Sequence, residues 1–173
     1  MHVGMLQFES GIYHIRQLLP AEAPLYKTMR LEALLQEAGM FRSKYPPEVA
    51  LTDEQWQEQI TDADKAVFGL FAGDEMIGIT RIILRGEQGE EGYLGQSYIR
   101  KAYRGKGLSD LLYKIRMAWA AEHRLKRVWV SHRESNVASR AANQRFGFVY
   151  SHRESCHWQD GQTEDVLYYV LEL

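Results

Sequence analysis

The residues best suited to chemistry stand in Arg104-Gly-Lys-Gly-Leu-Ser109. Two glycines let the backbone approach a ligand closely, and a helix that starts here leaves its first-turn N–H groups without partners inside the helix. Such a helix start attracts anions, phosphates above all. Charge points the same way: residues 100–127 hold nine Lys or Arg (Arg100, Lys101, Arg104, Lys106, Lys114, Arg116, Arg124, Lys126, Arg127) against Asp110 and Glu122. That stretch is +7 in a chain of net charge −2, so the remainder is −9. The acidic remainder argues against a nucleic-acid reader, which would spread positive charge along a longer face. GxxxxGK[ST] is absent, and so is a GxGxxG turn with an acid some twenty residues on. His152, Cys156 and His157 lack a second ligand pair at metal spacing, so no metal is expected.

The elements that must position this loop are readable from periodicity. Tyr93 to Arg100 mixes β-branched, aromatic and small residues as a strand does. From Leu108 the apolar spacing changes: Leu108, Leu111, Leu112, Ile115, Ala118 and Trp119 make one helical stripe. Arg127 to His132 is a short strand, and strand–helix–strand over this distance predicts a parallel pair with a right-handed crossover. Upstream, Ile12–Leu18 reads as a first strand ended by Pro20, and Ala23–Ala38 as a helix closed by Gly39. Ser43-Lys-Tyr-Pro-Pro47 is a loop, and Thr52 with Gln55 forms the capping box of a second helix. Val67–Phe71 and Met76–Leu84 flank a turn at Gly73-Asp-Glu75, Gly86–Gly92 is an exposed connection, and Asn136–Phe148 holds a helix ended by Gly147. Phe148–Trp158 and Asp165–Leu173, joined at Asp160-Gly161, are an antiparallel pair.

Length and composition agree with one domain over residues 1–173: 45% hydrophobic, 25% charged, four prolines and no apolar run long enough for a membrane span. A single cysteine, Cys156, excludes an internal disulfide and, with an N-terminus unlike a secretory signal, leads to the expectation of a cytoplasmic protein. Oligomeric state is open, a homodimer included.

Arg104-Gly-Lys-Gly-Leu-Ser109 resembles the [QR]-x-x-G-x-[GA] pyrophosphate loop of the GNAT superfamily of acetyl-CoA-dependent N-acetyltransferases, departing from it at Ser109. Asn136-Val-Ala-Ser-Arg-Ala-Ala-Asn-Gln-Arg-Phe-Gly-Phe148 resembles the superfamily's N-x-x-[AS]-x-x-x-Y-x-x-x-G-F, with Asn136, Ser139, Gly147 and Phe148 in matching places. Met29-Arg-Leu-Glu-Ala-Leu34 and Trp158-Gln-Asp-Gly161 look like its first helix and last turn. The resemblance implies a mixed α/β sandwich with a mostly antiparallel seven-stranded sheet, a splayed central parallel pair and about four helices. It implies acetyl transfer from acetyl-CoA, as co-substrate, to a primary amine in a ternary complex, with a catalytically silent acyl-CoA-binding module as the alternative.

On that resemblance the diphosphate sits on Arg104, Gly105, Lys106, Gly107, Leu108 and Ser109, and the pantetheine arm on the backbone of Tyr98, Ile99 and Arg100, with Asn136 and Ser139 opposite. Gly95 would mark a bulge that opens the strand pair. Phe41, Tyr45 and Trp56 would border the acceptor. Two departures matter. Asn143 stands where many members carry an acid tyrosine, and Ser131 where some carry a glutamate base. A thiol near 8.5 lies only about 1.5 units above pH 7, whereas an alkyl ammonium near 10.4 costs about 4.6 kcal/mol to deprotonate there. The missing base is therefore the larger loss. Glu91 and His132, with Ser131 holding a relay water, are the candidates to replace it.

Overall fold

Strand formation here follows runs of β-branched and aromatic residues that bury at least one face. In the computed structural model, which describes residues 5–37, 39 and 48–173, eight strands form one sheet in the order β1-β2-β3-β4-β5-β6-β8-β7. They are β1 (Gln7–Ser10), β2 (Tyr13–Gln17), β3 (Lys65–Ala72), β4 (Glu75–Arg85), β5 (Glu91–Ile99), β6 (Arg127–Arg133), β7 (Val149–His157) and β8 (Thr163–Glu172). The helices are α1 (Ala23–Gln36), α2 (Asp53–Thr61), α3 (Ser109–Glu122) and α4 (Val137–Arg145). Eight strands replace the seven expected. The extra one, β1, is polar and short, and it exists because Gly11, at φ 60°, turns the chain back so that Gln7–Ser10 pairs with Tyr13–Arg16.

Two cores lie on opposite faces of the sheet. On one, Leu108, Leu111, Leu112, Ile115 and Trp119 of α3 pack on Ile82, Leu94, Val128 and Val130. On the other, Tyr26, Met29 and Ala33 of α1 and Trp56 and Ile60 of α2 pack on Val67, Ile79 and Tyr98. Each such side chain contributes roughly 1.5–3 kcal/mol when fully buried. The capping box of α2 forms as expected, Gln55 N–H donating to Thr52 Oγ1 and Thr52 N–H to Gln55 Oε1. α1 ends at Gln36, short of Gly39, and buries Tyr26 and Arg30 while Leu25 and Leu35 are exposed. Among the described residues, no helix is long and apolar enough to cross a membrane.

β5 and β6 are the parallel pair, and their ladder is short. Glu91 pairs with Arg127, Gly92 with Val128 and Tyr93 with Trp129, after which the strands part. A bulge in β5 sets the divergence. Arg81 of β4 faces Gly95 and Ile79 faces Tyr98, so Gln96 and Ser97 together oppose Thr80. The strained residue is Gln96, at φ 55°, one position beyond the expected Gly95. Tyr26 holds it there by donating from its hydroxyl to Gln96 Oε1 at 2.6 Å. An extra residue also reverses side-chain parity. Leu94 faces α3, and without the bulge Tyr98 would too; instead it joins the α1 core.

Candidate functional site

Past the open end of the β5–β6 pair, the chain turns through Arg104–Ser109 into α3. Gly105 and Gly107 both sit at φ 75°, a left-handed conformation that costs other residues free energy, and a Cβ on either would meet nothing within 4 Å. Space is therefore left in front of this backbone. It is a cavity of about 550 Å³ lined by Ile99, Tyr103, Arg104, Gly105, Gly107, Leu108, Ser109, Asp110 and Arg145. Among the described residues, the five main-chain N–H groups from Gly105 to Ser109 donate to no backbone carbonyl and no side chain. Gly105, Lys106 and Gly107 are exposed, so this row of donors opens onto the cavity and suits an anion with several oxygens. A diphosphate fits that donor set.

The flanking cations are less available than their number suggests. Arg104 donates through Nε to the Ile99 carbonyl at 2.7 Å and through Nη2 to Glu37. Arg100 is held by Glu32 through two bonds of 3.0 Å and by Glu75 at 3.1 Å. Tyr98 donates its hydroxyl to Glu32 at 2.9 Å, and burial, helped by that carboxylate, pushes the phenol up to about 12. These side chains clamp α1 onto β5. Arg100 has no backbone group to spare, its N–H donating to the Ile77 carbonyl and its carbonyl accepting from Tyr103 N–H at 2.9 Å each, and the Ile99 carbonyl is taken by Arg104. What is left to a ligand is the rest of the β5 edge turned toward β6, which has no strand partner past Tyr93. Lys106 is exposed. Across the gap, Asn136 is the N-cap of α4 and its Oδ1 accepts from Ser139 N–H at 3.1 Å, which fixes both residues at the helix start.

The residues expected to move protons fall on opposite faces of the sheet. His132 of β6 and Asn143 on α4 are both buried. Asn143 accepts from the Tyr113 hydroxyl and donates through Nδ2 to His132 Nδ1 at 3.1 Å. His132 stacks on Tyr169, its Nε2 has no partner, and burial, with Arg140 adding to it, lowers its pKa to about 4. It is neutral near pH 7, and the lone pair that would take a proton is already used. The trio Tyr113–Asn143–His132 joins α3, α4 and β6. Tyr113 was not expected from the sequence, where it reads only as a helical aromatic.

Glu91 and Ser131 lie on the other face, the one covered by α1 and α2, together with Tyr93. The Tyr93 and Ser131 hydroxyls are hydrogen-bonded across the last rung of the parallel ladder. Glu91 accepts from Trp129 Nε1 at 2.7 Å and pairs with Arg127 at 3.5 Å. Glu91, Tyr93, Trp129, Arg85, His152 and Tyr168 enclose a second cavity of about 250 Å³. Trp56 is a core residue against Tyr26, 1% exposed, and does not reach this space. Phe41 and Tyr45 lie outside the described residues.

Sequence reasoning missed two further groups. Arg133, 4% exposed, gathers Glu164, Asp160, Gln162 and the Gly39 carbonyl, tying the β7–β8 turn to β6. Its signal was present in the acids around Trp158-Gln-Asp-Gly161. Arg81 carried no signal, being one polar residue within the apolar run of β4. Among the described residues, no group of three or more His, Cys, Asp or Glu could hold a metal ion.

The architecture has many solved counterparts. The chain superposes on a ribosomal-protein-S5-alanine acetyltransferase from Vibrio fischeri with TM-score 0.80, 16% identity and coverage of 96% of both chains. It superposes on yncA, a putative acetyltransferase from Salmonella typhimurium solved with its cofactor acetyl-CoA, with TM-score 0.77, 17% identity and coverage of 94% of both. RimL, a ribosomal L7/L12 alpha-N-protein acetyltransferase in complex with coenzyme A, gives TM-score 0.77 at 16% identity over 95% of this chain and 96% of that one. These likenesses are of fold. A comparison with curated proteins gives no match. The family model for the acetyltransferase (GNAT) family matches residues 30–148, which takes in the glycine loop, the parted strands and the Asn136 helix. The chain belongs to the GNAT family of acetyltransferases.

Proposed function

We propose that the protein transfers an acetyl group from acetyl-CoA to a primary amine by direct attack within a ternary complex. The observation that carries this reading is the row of unpartnered amides at 105–109 beside a gap between two parallel strands. When bound, acetyl-CoA supplies a thioester whose carbon–sulfur bond breaks as the amine's lone pair forms the carbon–nitrogen bond, the departing thiolate taking up a proton. Gly105 to Ser109 hold the diphosphate, with Lys106 adding charge. The free edge of β5 near Tyr98 and Ile99 pairs with the amide-bearing arm, and its fixed N–H groups are of the kind that stabilise developing negative charge. Asn136 orders the opposite wall through its cap on Ser139.

Proton removal is assigned to the α1–α2 face. Glu91 is the base, and the Tyr93–Ser131 hydroxyl pair lies between it and the gap as a relay. His132 and Asn143 support the wall from behind. The superposed enzymes named for protein N-termini support an amine acceptor, and a cytoplasmic location goes with a soluble coenzyme. Thiol release measured with a panel of small amines and peptide N-termini tests the reading. Coenzyme-dependent release that requires an amine is expected. Coenzyme binding with no release for any amine would favour a binding module, for which the Asn143 departure is the specific argument.

A further inference from the structure

Arg81 is a half-buried cation of the acceptor face that no carboxylate contacts among the described residues. It sits in β4 with its Cα opposite Gly95 of β5, and its Nη2 lies 3.8 Å from where a Cβ on Gly95 would stand. Its Nε is sealed from solvent without a hydrogen-bond partner, and it has no ion pair. Glu48 acts on Arg81 only at a distance, being bonded to Arg30 at 3.0 and 3.2 Å. Four residues along the same strand and face, Arg85 lies over the Tyr93 ring at 4.6 Å, also without an acid. Burial holds the Arg81 guanidinium below its ordinary pKa.

A desolvated cation without a counter-charge costs the fold free energy. Of the buried arginines, Arg30 and Arg133 are met by carboxylates, while Arg116 is held by the Leu112 carbonyl and the Tyr113 ring. Arg133, buried on the same face, has two carboxylates, an amide oxygen and a carbonyl. Arg81 has none, and its position beside Gly95 puts it where β5 has just lost its β6 partner. Resting on the acetyl-transfer reading, we propose that Arg81 anchors an anionic group of the acceptor. The acceptor is then a small amine bearing a carboxylate or phosphate within a few bonds of its nitrogen. An oxyanion at Arg81 completes the missing pair and leaves the amine beside the gap, near the Tyr93 and Ser131 hydroxyls. Charge-assisted bonds from a planar guanidinium suit either oxyanion.

The test uses the full chain and matched amines: β-alanine, γ-aminobutyrate and several α-amino acids, each against its primary amide, and phosphoethanolamine against ethanolamine. The wild-type protein should favour the anionic member of at least one pair by about tenfold or more in kcat/KM. A carboxylate preference and a phosphate preference identify the two sources of the anion. Arg81→Met should collapse that ratio toward one, Arg81→Lys should restore part of it, and the melting temperature should hold or rise in Arg81→Met because a partly desolvated charge without an ion pair is gone. Equal treatment of both members by the wild type overturns the proposal, and so does an equal loss for both in Arg81→Met. If no amine is acetylated, calorimetry with the same compounds and CoA decides. Binding of an anionic amine that Arg81→Met abolishes keeps the site and removes acetyl transfer, whereas no binding of any of them removes the site.

Discussion

Glu91 and His132 look interchangeable as bases in the sequence, and their surroundings separate them. Glu91→Gln should lower kcat by about 10²-fold, the lower range for a general base, with coenzyme affinity unchanged. His132 should instead be visible in stability. Folded, its pKa is about 4 against 6.5 when free, so between those pH values the unfolded chain binds the extra proton. Stability should therefore rise as pH goes from 4 to 6.5, by at most about 1.4 kcal/mol per pH unit, and flatten above. Urea midpoints across that range, for wild type and His132→Gln, check this: the variant should lose the slope. What hid this distinction is strand parity. Ser131 and His132 are adjacent in sequence and face opposite ways, and nothing local in the sequence says which side α4 covers.

At the scale of elements, the glycine loop, the α3 stripe, the α2 capping box and the β3–β4 hairpin were legible because each is specified by residues close in sequence. The β5 bulge was half legible. A glycine predicts where backbone can deform, yet the deformed residue is Gln96, held by Tyr26 some seventy positions away. Gln96→Val should cost about 2–3 kcal/mol, combining left-handed strain on a β-branched residue with the lost Tyr26 bond. Gln96→Gly should come out near neutral, relief of strain offsetting the bond. Denaturant unfolding of both measures it. Equal losses in the two would mean that strain at Gln96 is not what sets the bulge.

Over the whole molecule, fold order and family were readable because two local motifs stand in register with the strands around them. The field around the coenzyme loop was overread. Of the nine cations in residues 100–127, Arg100, Arg104 and Arg127 are paired to acids from α1, β4, β5 and β8 or the segment after α1, and Arg116 is buried in the core. A count along the sequence cannot see partners supplied by folding. Coenzyme affinity should accordingly fall only about severalfold between 50 and 300 mM salt, since of the five exposed cations left, Lys101, Lys106, Lys114, Arg124 and Lys126, only Lys106 lies within the loop.

Titration of the folded protein with acetyl-CoA in a calorimeter, wild type beside Gly107→Val, bears most directly on the site at residues 105–109. One molecule should bind per chain. The variant, which must take φ 75° with a branched side chain and fill the space in front of the amides, should bind about thirtyfold or more weakly, with its melting curve cooperative. No heat with the wild type, or undiminished affinity in Gly107→Val, would contradict the account.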